Sequence, residues 1–233
     1  MTEVLFRDDS YLKSCDASVV ASGEGFICLD RTVFYPLGGG QPGDTGTIRW
    51  DGGSVDIVDT RYADDRKIAH IVPADAIVPP IGTRVDATLD WDRRYIHMRM
   101  HTAMHLLGSL IPYGVTGGNI SMQKSRLDFD THEPIDKTEI TEQLAELVAA
   151  NKRVSCRWIS EAELDAQPEL VRTMSVQPPR GAGVIRLLEI EGIDLQPCGG
   201  THLASTGEVG QVRISKIENK GKHNRRVNIV LDQ

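Results

Sequence analysis

Side chains of the metal-binding type occur in two pairs that share one spacing. His101 and His105 lie four residues apart, as do Cys198 and His202 much later in the chain. On an α-helix this spacing places two side chains on one face, so the two histidines can direct ring nitrogens at one ion. The second pair lies among glycines after a proline, where the backbone can bend to present both side chains. Three nitrogens and one sulfur suit tetrahedral zinc, so the sequence predicts one Zn²⁺ per chain.

The residues beside these four limit the chemistry. His97 precedes His101 by one helical turn, and we expect it to pack or hydrogen-bond near the site, because three successive ligands on one helix face would crowd an ion. Thr102 stands where a zinc peptidase carries its glutamate base, so peptidase activity is disfavoured. Thr102 and Thr201 adjoin ligands, and each can either contact a substrate hydroxyl or hydrogen-bond within the site.

The first pair requires a helix. From Asp92 the apolar residues follow a helical period until Pro112 and Gly114 end it, and Asp90 or Asp92 can cap its start. Two further helices are predicted, one over 134–151 and a short one that begins with a capping box at Ser160 and Glu163.

Short apolar runs separated by turn residues predict β-structure in the first ninety residues, arranged as a small barrel. These strands are expected at 17–21, 25–29, 47–50, 55–58, 67–72 and 84–89. Later strands are expected at 125–130, 154–159, 183–190, 211–217 and 226–231. The fold class is therefore α+β, with a β-barrel subdomain at 1–90 and a zinc-binding domain at 91–233 in which helices pack on an antiparallel sheet.

Composition indicates an ordinary globular protein of the cytoplasm. The chain has 233 residues, 40% of them hydrophobic, and its four cysteines are too few for a disulfide scaffold. No apolar stretch approaches the length of a membrane span. Residues 1–90 hold 8 Lys or Arg against 15 Asp or Glu, whereas residues 91–233 hold 18 of each, so a polyanion should contact the second half.

A glycine-rich segment at 35–46 contains Gly38, Gly39 and Gly40, followed by Gln41 and Asp44. No Gly-Lys-Ser/Thr follows it, and no helix follows it, so neither a P-loop nor a dinucleotide loop fits. Two interpretations stay open: a hairpin turn that needs positive φ, or a loop whose backbone approaches a ligand closely.

Positive charge is concentrated near the C-terminus, at the turn and flanks of a predicted hairpin over 216–226. A polyanionic substrate bound there could reach the ion. The candidate tRNA contacts are Lys216, Lys220, Lys222, Arg225 and Arg226.

Four motifs in this chain order resemble the editing domain of alanyl-tRNA synthetase and, more closely, the free-standing alanyl-tRNA editing proteins of the AlaX family. They are His101-Thr-Ala-Met-His105, the Gly38–Gly46 segment, Ser125-Arg-Leu-Asp-Phe-Asp130 and Cys198-Gly-Gly-Thr-His202. The resemblance covers nearly the whole chain. One departure concerns a Val-Thr-Gln stretch of the synthetase domain, which is Val115-Thr116-Gly117 here; Gln41 or Gln123 could substitute for the missing glutamine.

The resemblance implies a trans-acting deacylase that hydrolyses serine, and also glycine, from mischarged tRNA(Ala) without ATP. It implies zinc at the four ligands and a glycine-rich loop that overhangs the pocket. Gly38, Gly39, Gly40, Gln41 and Thr201 are then substrate-binding residues, and Gln41, Thr102 and Cys198 are candidate catalytic residues. A free-standing synthetase is excluded, because no room remains for an ATP-binding catalytic domain. Two alternatives stay open: an editing hydrolase for another mischarged tRNA, such as a threonyl type, and a non-catalytic RNA-binding module with structural zinc.

Overall fold

The computed structural model describes residues 2–64, 67–171, 173–174, 181 and 183–232. The chain forms two compact units, Met1–Ile96 and His97–Gln233. Among the described residues, no helix combines the length and the apolar character needed to cross a bilayer.

The first unit is built from short strands. Its strands are β1 Glu3–Val4, β2 Ser14–Gly23, β3 Phe26–Leu29, β4 Arg31–Thr32, β5 Gly46–Trp50, β6 Gly53–Ile57, β7 Asp59–Tyr62, β8 Ile68–Ile71 and β9 Arg84–Leu89, with a 3-10 turn at Leu5–Arg7. Seven of them form one sheet in the order β6-β5-β9-β2-β3-β8-β7, while β1 and β4 pair separately and in parallel. Apolar side chains of β2, β3, β5, β6 and β9 form its core, which includes Val19, Leu29 and Ile48.

The predicted barrel is not confirmed, because the described strands form no closed ring. Closure would require β6 to pair with β7, the two ends of the strand order. Only Val58 separates these strands along the chain, and a hairpin needs a connection of at least about two residues. The chain therefore passes from edge strand β6 to edge strand β7, and these two strands are not paired with each other.

The second unit contains helices and two antiparallel sheets, so the α+β class is confirmed. Its strands are β10 Val115–Asn119, β11 Ser125–Asp130, β12 Val154–Ser160, β13 Val184–Ile190, β14 Asp194–Pro197, β15 Val212–Asn219 and β16 Asn224–Leu231. One sheet has the order β10-β11-β16-β15 and the other β12-β13-β14. The helices are α2 Lys137–Ala149 and α3 Glu161–Asp165, with 3-10 turns at Pro168–Leu170 and Thr206–Val209.

Helix α1, Trp91–Leu110, crosses the division between the units. Its start is fixed by the carboxylate of Asp90, which accepts the backbone N–H of Arg93 at 3.1 Å, as predicted for an N-cap. The sequence predicted an apolar stripe on one side of this helix, but the buried surface is wider than one stripe. Beyond Ile96 the helix is buried on nearly every side, with Met98, Leu106 and Leu107 all at 0% exposure.

Candidate metal centre

The structure brings His101, His105, Cys198 and His202 together within the second unit. One ligand atom from each residue lies within 4.8 Å of all the others. The Cys198 Sγ is 3.1 Å from Nε2 of His202 and 3.5 Å from Nε2 of His101. All three histidines are at least nine-tenths buried, whereas Cys198 is half-buried. His97, the extra histidine of the helix, is buried and belongs to no such group among the described residues.

Two elements supply the four side chains. His101 and His105 come from successive turns of α1, and their rings face one another with centroids 5.3 Å apart. Cys198 follows directly after β14, and the glycines at 199 and 200 let the chain turn so that His202 reaches the same place. A Cβ at Gly199 would meet nothing within 4 Å, so this glycine is not required for close packing.

Strand β14 carries two site residues that the sequence analysis missed. Asp194 Oδ2 lies 2.9 Å from Nδ1 of His105, and the side-chain amide of Gln196 donates to the same oxygen at 2.7 Å. A carboxylate on one ring nitrogen fixes the tautomer and leaves the other nitrogen free for a ligand role. Asp194, Gln196 and Cys198 alternate along the chain, which is the spacing that puts strand residues on one face. This alternation is the signal that could have identified them.

A buried arginine holds the turn that bears Cys198. Arg186 on β13 is 7% exposed, and its Nη1 donates to the carbonyl oxygens of Cys198 and Gly200, both at 3.0 Å. The Cys198 N–H returns a bond to the Arg186 carbonyl at 3.1 Å. The turn over residues 198–202, here called the ligand turn, is therefore bonded to β13 at Cys198 and at Gly200. Arg186 was also missed, because nothing in the sequence distinguishes it from a surface cation.

The pKa shifts in the cluster put two of its four side chains, Cys198 and His202, in the form that binds metals. Burial alone would raise the pKa of the Cys198 thiol, but the neighbouring His101 and His202 hold it well below its usual value. Burial, followed by the charge of His101, lowers the pKa of His202 well below its usual value, so this ring is neutral. Burial opposes protonation of His105, yet Asp194 and Cys198 raise its pKa to about 9. A thiolate and neutral imidazoles are the forms that bind metals, so Cys198 and His202 are in the ligating form, whereas His105 must release its proton when an ion binds.

The donor set fits a tetrahedral ion. Zinc ligand distances of about 2.0–2.3 Å imply separations between ligand atoms of roughly 3.3–3.8 Å. The observed cluster, within 4.8 Å, needs a contraction of only about an ångström to reach them. These residues could therefore hold a metal ion, as the sequence analysis predicted for this group.

The glycine-rich segment lies in the first unit, where its turn is explained by backbone geometry. Gly38 and Gln41 exchange backbone hydrogen bonds of 3.1 and 2.9 Å across Gly39 and Gly40, whose φ angles are +55° and +82°. Two successive positive φ values are what a tight hairpin turn requires. A Cβ at Gly43 would collide with the backbone oxygen of Thr60, so this glycine serves close packing. A hairpin turn therefore explains Gly39 and Gly40, and close packing explains Gly43.

Asp44 anchors the end of that segment. Its carboxylate accepts two bonds from Nε of Arg94, at 3.1 and 3.0 Å, and another from its Nη2. It also accepts the N–H of Tyr35 at 2.6 Å. The side chains of Arg94 and Asp44 are almost completely buried, with 0% and 1% exposure. Asp44 is thus part of a buried ion pair within the first unit.

The remaining predicted site residues are buried or involved in packing. Gln41, Thr102 and Thr201 are each 0% exposed. The hydroxyl oxygen of Thr102 accepts the N–H of Leu203 at 3.2 Å, which joins α1 to the ligand turn. Gln123, proposed as a substitute for the missing glutamine, is exposed, and Gly117 is part of β10.

The basic residues of the predicted hairpin lie on β15, β16 and the turn between them. Most have acidic partners: Arg226 contacts Asp128 through two bonds of 2.8 and 2.9 Å, and Lys216 and Lys220 lie 3.1 and 3.5 Å from Glu218. Arg225 donates to the carbonyl of His132. Lys222 is exposed at the turn.

Comparison with known proteins relates both units to alanyl-tRNA enzymes. Residues 185–228 match the family described as threonyl and alanyl tRNA synthetase second additional domain, and residues 5–93 match the class II (A) tRNA synthetases. The alanyl-tRNA editing protein AlaX-M of Methanosarcina acetivorans is 37% identical over 99% of both chains. AlaX-M of Saccharolobus solfataricus is 33% identical, covering 97% of this chain and 98% of its own. The alanine–tRNA ligase of Pyrococcus furiosus is 37% identical over 93% of this chain but only 24% of the ligase.

The matches to AlaX-M extend over almost the full length of both partners, whereas the ligase matches over a quarter of its length only. This chain belongs to the family of free-standing alanyl-tRNA editing proteins.

Proposed function

We propose that this protein is an aminoacyl-tRNA deacylase that acts in trans on mischarged tRNA(Ala), releasing serine and, as a second substrate, glycine. The observation that carries the proposal is the buried cluster of His101, His105, Cys198 and His202 in a chain of the alanyl-tRNA editing family. Hydrolysis of an ester needs no ATP. The proposal includes a cytoplasmic location, where charged tRNA is used.

In this proposal the four clustered side chains bind one zinc ion. Four protein ligands fill a tetrahedral shell, so zinc would supply Lewis-acid chemistry to a substrate carbonyl oxygen only after the shell expands or one ligand leaves. The protein's own contribution is positioning. Asp194 and Gln196 hold the ring of His105, Arg186 holds the turn of Cys198, and Thr102 joins that turn to α1. Each of these contacts fixes a ligand before substrate arrives, which limits reorganisation during the reaction.

The first ninety residues are proposed to act as a separate domain from 91–233, with the glycine-rich loop contributing to substrate binding. The backbone amides of Gly39 and Gly40 would donate to the ester carbonyl as charge develops on its oxygen, whereas the N–H of Gly38 donates to Gln41 and would hold the turn. Gln41 and Thr201 would distinguish serine by hydrogen bonds to its hydroxyl. Because both side chains are 0% exposed, substrate binding must displace what covers them.

The tRNA backbone is proposed to contact Lys216, Lys220, Lys222, Arg225 and Arg226. Lys222 is exposed at the hairpin turn, and Lys216 and Lys220 share one carboxylate, which phosphate oxygens could replace. Arg226 donates two hydrogen bonds to the carboxylate of Asp128. It would therefore stabilise the hairpin as well as attract the polyanion.

Hydrolysis of defined substrates tests the proposal. We expect purified, zinc-loaded protein to deacylate seryl-tRNA(Ala) and glycyl-tRNA(Ala) while sparing alanyl-tRNA(Ala), and a chelator to abolish the activity. Equal rates on seryl- and alanyl-tRNA(Ala) would overturn it, because a proofreading enzyme must spare the correct product. A Cys198→Ala variant that folds and binds tRNA but deacylates at the normal rate would favour a non-catalytic role for the metal.

A second candidate, editing of a threonyl-type substrate, is favoured by the family match at residues 185–228, which includes threonyl enzymes. Seryl-tRNA(Thr) should therefore be assayed beside seryl-tRNA(Ala). Faster hydrolysis of the threonine tRNA would support this second function over the first.

A further inference from the structure

An exposed tryptophan lies on the sheet that carries Cys198. Trp158 of β12 is 46% exposed, although tryptophan is usually highly buried. The chain has only three tryptophans, and Trp50 and Trp91 are both more buried than Trp158. The indole makes no hydrogen bond with any of the described residues. No contact among the described residues of the second unit explains this exposure.

The strand register puts Trp158 on the same face as the candidate metal ligands. Trp158 is paired with Arg186 on β13, and the pairing of β13 with β14 continues to Cys198 through its N–H bond to the Arg186 carbonyl. Directly paired residues of antiparallel strands project to the same side. Trp158, Arg186 and Cys198 therefore form one row across the sheet, and two strand spacings put the first about 10 Å from the last.

The two faces of this sheet have different surroundings. The opposite face is closed by a core of Ile159, Ile185 and Leu187 with residues of α3 and the following 3-10 turn. On the face of Trp158, the row of Val154, Ile190 and Asp194 is buried, but Cys156 and Trp158 at the other end are exposed. The open end of the face thus adjoins Cys198 and the cationic Arg186.

This arrangement matches the shape of an aminoacylated 3′ end. The terminal base of the tRNA is one ribose away from the ester that is to be hydrolysed, and the end is single-stranded, so its bases are free to stack. Aromatic side chains bind unpaired bases by stacking. We propose that Trp158 is the stacking platform for the terminal base of the tRNA 3′ end. The inference rests on the proposed function and specifies where its substrate lies.

Tryptophan fluorescence tests the contact directly. In a Trp50→Phe, Trp91→Phe background, Trp158 is the only emitter, and titration with the trinucleotide CCA should quench it to saturation. Adding free ribose 5-phosphate, which lacks a base, should leave the emission unchanged. Emission that stays unchanged while full-length tRNA(Ala) binds to saturation would overturn the inference.

Kinetics test whether the contact serves the reaction. Trp158→Ala should raise the KM for seryl-tRNA(Ala) by roughly 5- to 150-fold, the range expected for loss of one stacked base, with kcat little changed. Trp158→Phe should restore most of the loss. Tyr113→Ala, which removes another exposed aromatic side chain of the same unit, is the matched control and should change KM less than twofold.

A serine ester of glycerol, which has no base, separates this inference from the proposed function. Wild type and Trp158→Ala should hydrolyse it at equal rates. If wild type hydrolyses neither ester, the proposed function fails. If wild type deacylates seryl-tRNA(Ala) and Trp158→Ala has the same KM, the function stands and the platform fails. A dimer in solution that Trp158→Ala dissociates, with KM unchanged, would identify the surface as a self-association site and likewise overturn the inference.

Discussion

At the scale of single residues, the site depends on side chains that never touch the predicted ion. Asp194 and Gln196 act on His105, and Arg186 acts on the turn of Cys198. Each contact is a hydrogen bond at 2.7–3.0 Å. Such contacts influence metal affinity through the orientation and basicity of the ligands.

Replacing Asp194 by Asn should weaken zinc binding about 10- to 100-fold, because the amide cannot stabilise the His105 ring as a carboxylate does. Competition with a chromophoric chelator measures the affinity. Asp232→Asn, a change at an exposed carboxylate that pairs with Arg213, is the control and should bind zinc normally. Affinity within about threefold of wild type in Asp194→Asn would contradict the assigned role.

Replacing Arg186 by Met should lower the free energy of unfolding of metal-free protein by about 2–4 kcal/mol, since the carbonyls of Cys198 and Gly200 lose charge-assisted bonds. Urea denaturation monitored by circular dichroism gives this value. Arg157→Met, on the neighbouring strand with a side chain 53% exposed, should cost less than about 1 kcal/mol. Equal losses in the two variants would show that Arg186 does not hold the ligand turn.

At the scale of elements, the glycine-rich segment illustrates how a motif can combine backbone geometry with a buried charge pair. Gly39 and Gly40 form the turn, Gly43 permits close approach to β7, and Asp44 fixes the end of the segment to Arg94. Arg94 also donates to the backbone oxygens of Ser10 and Val33. The first turn of α1 is therefore joined to three separate segments of the first unit.

Asp44→Asn should destabilise the first unit by about 3–5 kcal/mol, because it leaves the guanidinium of Arg94 buried without a counter-charge. The double variant Asp44→Leu, Arg94→Met should be more stable than Asp44→Asn, since it removes both charges. Thermal or urea unfolding of the three proteins measures this order. Arg61→Gln, at an exposed pair with Asp59, is the control and should cost less than about 1 kcal/mol. A double variant less stable than the single one would contradict the argument.

At the scale of the whole molecule, the stability of the protein should fall in acid because of one buried histidine outside the metal centre. His70 lies in the first unit, 0% exposed, with Nδ1 3.0 Å from the carbonyl of Ile27 and Nε2 2.8 Å from the hydroxyl of Thr32. Burial lowers the pKa of His70 from 6.5 to about 4, against the smaller opposing effect of Ile27.

The sign follows from the lowered pKa. Between pH 6.5 and about 4 the unfolded chain binds a proton at His70 that the folded protein does not, so stability is complete above pH 6.5 and falls as the pH drops through this window. The loss attributable to His70 approaches about 3 kcal/mol at the acid end. We expect His70→Gln, which cannot titrate, to show a flatter urea midpoint between pH 7 and pH 4 than wild type, both measured with saturating zinc. Parallel midpoint curves for the two proteins would contradict this prediction.

The sequence by itself determined much of the local structure. Strand 125–130, the capping box at Ser160, the N-cap of α1 and the α+β class were all correct, because period, capping residues and turn residues act over a few positions. The grouping of His101, His105, Cys198 and His202 was also predicted; for the two residues of α1 the reason is local, since a spacing of four puts both on one helix face. Strand β14 was missed, because four residues with Asp, Gln and Pro have little intrinsic β preference.

Tertiary structure decided what those local signals could not. The alternation of Asp194, Gln196 and Cys198 is a local signal, but the contact of Asp194 with His105 depends on the packing of β14 against α1. The contact of Arg186 with the turn of Cys198 depends on the pairing of β13 with β14. The register of three strands likewise put Trp158 in one row with Cys198, 40 residues away in sequence. Long-range register is set by which apolar face is buried, and this is a property of the packed sheet and not of any one segment.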